Sequence, residues 1–203
     1  MAFINLNPAL EKAREDFAKG IPERMAACTR SIYDETEKVF KLTFLGCQYE
    51  VRYPDGRVEG PGGAEVPLTV QVLLLHYLTF ASGIAPSDQW ISFKELPGGS
   101  IYVGPFTQRA VNPLVRIFGN APEKLAEAAV RLGGSRHPLG DMAVTLPFFP
   151  LVPITYVLWL GDDEFPPSGT VLFDAAASSH LATEDYAVLA GMGVFELKKA
   201  AGL

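Results

Sequence analysis

The segment that most constrains the fold is LWLGDDEFPPSGTVLFD, residues 158–174, in which three consecutive carboxylates separate two apolar runs. Residues 154–160 form a continuous β-rich apolar run, which is typical of a strand buried on both faces. A second apolar run, residues 170–173, follows a Pro-Pro pair that favours a turn. We therefore predict that Asp162-Asp163-Glu164 is a solvated connection between two strands. A Mg²⁺ or Ca²⁺ site is the alternative, because hard cations bind clustered carboxylates.

A second β region is predicted by a change of hydrophobic period. Apolar and polar residues alternate over residues 39–46 and 48–53, which is the pattern of half-buried strands. Pro54-Asp55-Gly56 has the composition of a tight turn. We predict antiparallel hairpins that include a third short strand at residues 56–59.

Helices are predicted by apolar periodicity and by end signals. They cover residues 7–19, 22–33, 66–81, 106–118 and 122–133, and a last helix begins at Thr183. Gly191 and Gly193 are expected to interrupt that last helix, and the Gly-rich residues 97–104 are expected to form a loop. Prolines 147, 150 and 153 predict an extended or edge segment, because proline cannot donate to a central ladder.

These elements predict an α+β protein in which an antiparallel β-hairpin region and a second small sheet pack against helices. A chain of 203 residues is long enough to bury a core without disulfides or metals. We expect residues 1–203 to form a single domain, with a possible subdivision at the Gly/Pro loop of residues 60–65.

Charge and apolar length exclude several classes of partner. The net charge is −6, and no cluster of lysine and arginine is visible, so we expect no nucleic-acid and no membrane partner. The longest apolar stretch, residues 66–81, is too short to cross a bilayer. No signal segment is seen, which predicts a soluble cytoplasmic protein.

Metal and cofactor motifs are also missing from the sequence. The two cysteines, Cys28 and Cys47, exclude a disulfide framework and a four-cysteine cluster within this chain. HExxH, the phosphate-loop motif and GxGxxG do not occur. We therefore predict no bound metal and no cofactor.

Three segments resemble a known family. SFKELPGGSIY, the LGG…LGD pattern of residues 132–141 and, above all, residues 149–190 resemble a domain-of-unknown-function family from anaerobic prokaryotes, over about residues 20–195. Some members of that family carry an added iron–sulfur cluster segment, for which this chain lacks the cysteines. The resemblance supplies no catalytic residues. By association, it implies an accessory or binding role in anaerobic metabolism.

Five residues are candidates for a ligand site: Trp90, Tyr102, Arg136, His137 and Asp141. The two aromatic residues flank a Gly-rich segment, an arrangement found at ligand pockets. The other three lie in a second Gly-rich segment whose backbone N–H groups are free to bind an anion. We therefore expect any pocket to involve residues 97–104 and 134–141. Ordinary packing and a solvated loop are the alternatives.

Arg109 and Arg116 form a further candidate pair. They lie seven residues apart on a predicted helix, and hence on one face of it. Two arginines in this arrangement could clamp a carboxylate or a phosphate. The alternative is that they solvate that face.

The sequence leaves three functional hypotheses open and assigns no catalytic residues. The first is a soluble small-molecule-binding accessory protein. The second is a hydrolase-type enzyme that uses His180 with Asp174, or a metal at Asp162-Asp163-Glu164, although GxSxG is absent. The third is a protein-interaction module for a redox partner.

Overall fold

The computed structural model of the chain describes residues 6–203. Its backbone separates into two compact units. The first runs to Ala85 and includes Ser179–Leu181, and the second comprises Pro86–Ser178 and Ala182–Leu203. Two antiparallel sheets pack with helices, which confirms the predicted α+β class. That the whole chain is one domain stays a prediction.

From residue 6 onward, the first unit contains three α-helices and one sheet. Its elements are α1 (Asn7–Phe17), α2 (Pro22–Thr29), β1 (Ile32–Asp34), β2 (Val39–Phe44), β3 (Cys47–Arg52), β4 (Val58–Glu59) and α3 (Leu68–Phe80). The strands pair in the order β1-β2-β3-β4, all antiparallel. Phe40, Leu42 and Phe44 are buried, whereas Lys41 between them is exposed, so the predicted alternation and hairpins are confirmed.

The second predicted helix is shorter than expected. Helix α2 ends at Thr29, because Arg30 adopts a left-handed conformation with φ 55°. Tyr33, which was expected to be helical, instead lies in β1 and pairs with Phe40. The prediction was therefore wrong beyond Thr29.

The second unit contains the larger sheet. Its elements are β5 (Trp90–Ser92), α4 (Gly99–Phe106), a π-helical segment (Thr107–Val111), α5 (Asn112–Phe118), α6 (Pro122–Arg131), β6 (Ser135–Arg136), β7 (Met142–Phe149), β8 (Val152–Trp159), β9 (Ser168–Asp174) and α7 (Thr183–Ala200). The antiparallel strand order is β5-β9-β8-β7-β6. The central strand β8 buries Ile154, Tyr156 and Leu158 as well as the residues between them, as its continuous apolar run predicted.

Two of the three prolines lie inside paired strands, at positions with a strand neighbour on one side only, which agrees with the predicted extended or edge segment. Pro147 of β7 lies opposite Pro153 of β8. Strand β6 pairs with β7 only as far as Thr145, and β9 pairs with β8 only from Ile154 onward. Each proline therefore lies where its strand has no neighbour on the other side, and its missing N–H breaks no bond there.

Two glycine-rich segments were predicted wrongly. Residues 99–106 form α4 rather than a loop, and Gly98 precedes it in the left-handed conformation, with φ 72°. Helix α7 continues unbroken through Gly191 and Gly193. Within residues 6–203, no helix combines the length and the apolar character needed to cross a membrane.

Candidate functional site

A groove of about 720 Å³ lies among the helices of the second unit. One wall is α7, and the other is the continuous helical stretch formed by α4, the π-helical segment and α5. Its lining residues are Phe93, Tyr102, Pro105, Phe106, Gln108, Arg109, Pro113, Arg116, Thr183, Glu184, Ala187, Val188, Gly191, Met192 and Phe195. Apolar and aromatic side chains make up most of this lining, and three charged residues join them.

The α7 wall is a helical stripe with two faces of different burial. Its groove residues recur every three or four positions, which places them on one face of the helix. Val188 and Phe195 on this face are 41% and 58% exposed, whereas Leu189 and Leu197 on the other face are fully buried. The helix therefore presents apolar side chains to the core and also to the groove.

Aromatic rings form the base of the opposite wall. Phe93 and Phe106 stack with their ring centroids 4.0 Å apart and their planes 3° from parallel. Both side chains are buried, whereas Tyr102 on α4 is 52% exposed. The groove thus has a buried apolar base and one exposed ring with a hydroxyl group.

The π-helical segment brings Arg109 close to α7. A Cβ added to Gly191 would lie 3.4 Å from the Arg109 carbonyl oxygen, so the two backbones are in near contact. Such π turns widen a helix by one residue and are frequent at functional sites.

The charged residues of the groove are Arg109, Arg116 and Glu184. None of the three side chains forms a hydrogen bond or an ion pair with another part of residues 6–203. Arg109 and Arg116 were predicted to share one face of a helix, and both line the groove. Their guanidinium groups remain available to an external acceptor.

The five predicted ligand residues do not form one site. Tyr102 lines the groove, and it is the contribution of residues 97–104. Residues 134–141 contribute none of the lining. Trp90 and His137 contact each other instead, with ring centroids 5.1 Å apart and an interplanar angle of 81°. The Nδ1 atom of His137 is buried without a hydrogen bond to any of residues 6–203.

The other two predicted ligand residues have local partners. Arg136 forms an ion pair with Glu123, and both side chains are exposed. Asp141 accepts a hydrogen bond from the Leu160 backbone N–H at 2.8 Å, while its own N–H donates to the carbonyl of Leu158. These contacts hold strand ends and surface segments in place.

The acidic segment 162–164 connects β8 to β9. Asp162 Oδ1 accepts hydrogen bonds from the backbone N–H groups of Phe165, at 2.7 Å, and Glu164, at 2.8 Å. These two bonds, the one from Phe165 first, lower the pKa of Asp162. Across residues 6–203, no three His, Cys, Asp or Glu side chains gather in a group that could hold a metal ion.

Asp174 and His180, the candidate hydrolase pair, are both buried, at 2% and 1% exposure. The Asp174 carboxylate accepts hydrogen bonds from the backbone N–H groups of Ser87, Asp88 and Ala176 and from the Ser87 hydroxyl. It therefore holds the turn at residues 87–88 against the end of β9.

The α7 face of the groove was not predicted from the sequence. Helix α7 is apolar on most of its circumference. Its sequence pattern therefore does not distinguish the apolar residues that face the core from those that stay exposed. The one available signal was the recurrence of Glu184, Val188 and Phe195 at helical spacing, which indicates a shared face but not its exposure.

Comparison with protein families gives one match. A family model described as Domain of unknown function (DUF3786) matches residues 22–196, and the chain belongs to this family. The matched region contains every residue that lines the groove. Neither a search of curated proteins nor a search of solved structures found a match.

Proposed function

We propose that this member of the domain-of-unknown-function family is a small-molecule-binding protein and that the groove beside α7 is its site. The observation that carries the proposal is an apolar groove of about 720 Å³ that contains two arginines without partners among the described residues. Ligand sites typically measure about 300–1,000 Å³ and combine apolar walls with a few polar groups that orient the ligand.

The exposed apolar residues of the groove would provide the driving force for ligand binding. Tyr102, Val188 and Phe195 are each more than 40% exposed and line the same groove. Covering apolar surface gains about 25 cal/mol per Å². A ligand with an apolar body would gain this free energy by covering the exposed side chains and removing them from water.

The accessory role in anaerobic metabolism, like the cytoplasmic location, is part of this proposal and rests on the resemblance and the composition. The hydrolase alternative has less support, because the Asp174 carboxylate already accepts hydrogen bonds from the backbone N–H groups of Ser87 and Asp88. The interaction-module alternative shares the exposed residues of the groove. The concave shape and the small volume favour a small molecule over a protein surface.

The test is the binding of a neutral fluorescent probe, N-phenyl-1-naphthylamine, whose emission rises in an apolar site. We expect saturable binding at one site per chain. Val188→Trp should weaken this binding at least about tenfold, because the added indole would fill the groove.

The matched control is Val130→Trp. Val130 lies on α6, is 65% exposed and does not line the groove. The same substitution there should leave the probe affinity unchanged. Lack of saturable binding to the wild-type chain would refute the proposal, as would equal weakening by both variants.

A further inference from the structure

The two walls of the groove run in the same direction. At one end, the Thr183 Oγ1 at the start of α7 donates a hydrogen bond to the Pro97 carbonyl, just before α4, at 2.7 Å. Further along, Gly191 lies against the Arg109 backbone. Residue numbers therefore increase in the same direction along both walls of the groove.

The charges are separated along this direction. Glu184 lies in the first turn of α7, seven residues before Gly191, which is about 10 Å along a helix axis. Arg109 lies beside Gly191, and Arg116 is a further seven residues along the opposite wall. The groove thus has an acidic end at Glu184 and a basic part at Arg109 and Arg116.

The basic part of the groove places two positive charges in an acidic chain. The chain carries 17 basic and 23 acidic residues, a net charge of −6. Yet neither groove arginine is neutralised by a carboxylate among residues 6–203. A guanidinium group binds an oxyanion through two parallel N–H···O hydrogen bonds, which makes arginine a selective partner for carboxylates and phosphates.

Resting on the proposed function, we infer that the ligand is an amphipath, an elongated apolar body with an acidic group at one end only. Arg109 and Arg116 bind the head group, and the aromatic and aliphatic walls bind the body. Glu184 acts as a specificity residue, because its carboxylate repels a second acidic group at the far end of the ligand.

The experiment compares probes of equal chain length by displacement of N-phenyl-1-naphthylamine. Decanoate, decyl phosphate, decan-1-ol and decanedioate carry the same number of carbons and differ only in their ends. We expect decanoate, decyl phosphate or both to bind about ten- to hundredfold more tightly than decan-1-ol, since hydrogen bonds to charged groups contribute that much. Whichever acid binds more tightly identifies the head group.

Variants of the charged residues test which side chains recognise each end of the ligand. The double variant Arg109→Gln/Arg116→Gln should remove the preference for the acid over decan-1-ol. Arg52→Gln, which removes the same charge from an exposed position on β3, should keep the preference. Decanedioate should bind at least about tenfold more weakly than decanoate, and Glu184→Gln should reduce this difference.

The outcomes separate the two proposals. If decan-1-ol displaces the probe as well as both acids do, the acidic head group is wrong and the binding groove stands. If the neutral probe itself does not bind, the groove proposal fails. Decanedioate binding as tightly as decanoate in the wild-type chain would overturn the role of Glu184.

Discussion

Gly191 and Gly193 lie two residues apart on α7, and therefore on nearly opposite sides of the helix. A Cβ on Gly193 would lie 2.8 Å from Cζ of Phe148 and closer still to Oη of Tyr156. That hydroxyl donates a hydrogen bond to the Ala190 carbonyl at 3.0 Å, and burial raises the pKa of Tyr156. Gly193 therefore lets α7 approach β8, whereas Gly191 faces the groove.

This difference predicts opposite effects of one substitution. Gly193→Ala should lower the free energy of unfolding by about 1–3 kcal/mol, because the methyl group overpacks the core. Gly191→Ala should leave it unchanged or raise it by up to about 1 kcal/mol, because alanine is the better helix former and its Cβ meets nothing closer than 3.4 Å. Urea denaturation measures both. Equal destabilisation by the two variants would contradict this account of the α7 packing.

Some residues of the site could be predicted from the sequence, and others could not. The spacing of Arg109 and Arg116 predicted a shared face, because helical periodicity is local. The Trp90–His137 contact joins residues 47 positions apart in the chain, and no local rule pairs them. Tyr102 was grouped with His137 only because both lie in Gly-rich segments, and chain composition does not determine which segments meet.

Among the elements, α4 shows why a pair of glycines can predict a loop where the chain forms a helix. Two adjacent glycines predict a loop, but each has a separate role at the start of this helix. Gly98 supplies the left-handed residue, with φ 72°, and a Cβ on Gly99 would overlap the Phe93 carbonyl oxygen. Gly99 therefore allows the helix to start directly against the short turn at residues 93–95.

We expect Gly99→Ala to lower the free energy of unfolding by about 1–3 kcal/mol, because the backbone must shift to admit the methyl group. The control is Ser100→Ala, one position later on an exposed side of the same turn, which should change stability by no more than about 0.5 kcal/mol. Thermal and urea unfolding would measure the difference. A Gly99→Ala variant as stable as Ser100→Ala would show that this close approach does not determine the start of α4.

Elements with a strong local pattern were predicted well. Strands β2 and β3 and the central strand β8 follow from alternation and from a continuous apolar run. The left-handed Arg30, which ends α2, has no comparable signal, since non-glycine residues rarely adopt that conformation. The π-helical segment was likewise predicted only as helix, because its extra residue per turn leaves no mark on a short apolar pattern.

At the scale of the whole molecule, the chain path links the two units. Residues 179–181 belong to the first unit, although Ser178 and Ala182 on either side belong to the second. Within the first unit, the Ser82 N–H donates a hydrogen bond to the Ser179 carbonyl at 3.0 Å. Unfolding of the second unit would release both ends of this three-residue segment, and the first unit would then lose it.

We therefore expect the two units to unfold together, as the predicted single domain requires. Both tryptophans, Trp90 and Trp159, lie in the second unit, and the exposed Cys47 of the first unit accepts a fluorescent label in a Cys28→Ser background. Intrinsic tryptophan emission and label emission should give the same urea midpoint and the same slope, because coincident transitions mark two-state unfolding. Circular dichroism of the unlabelled Cys28→Ser chain is the control for the label. Two separate midpoints would mean that the units are independent domains, and a truncated chain holding only one of them would then be expected to fold.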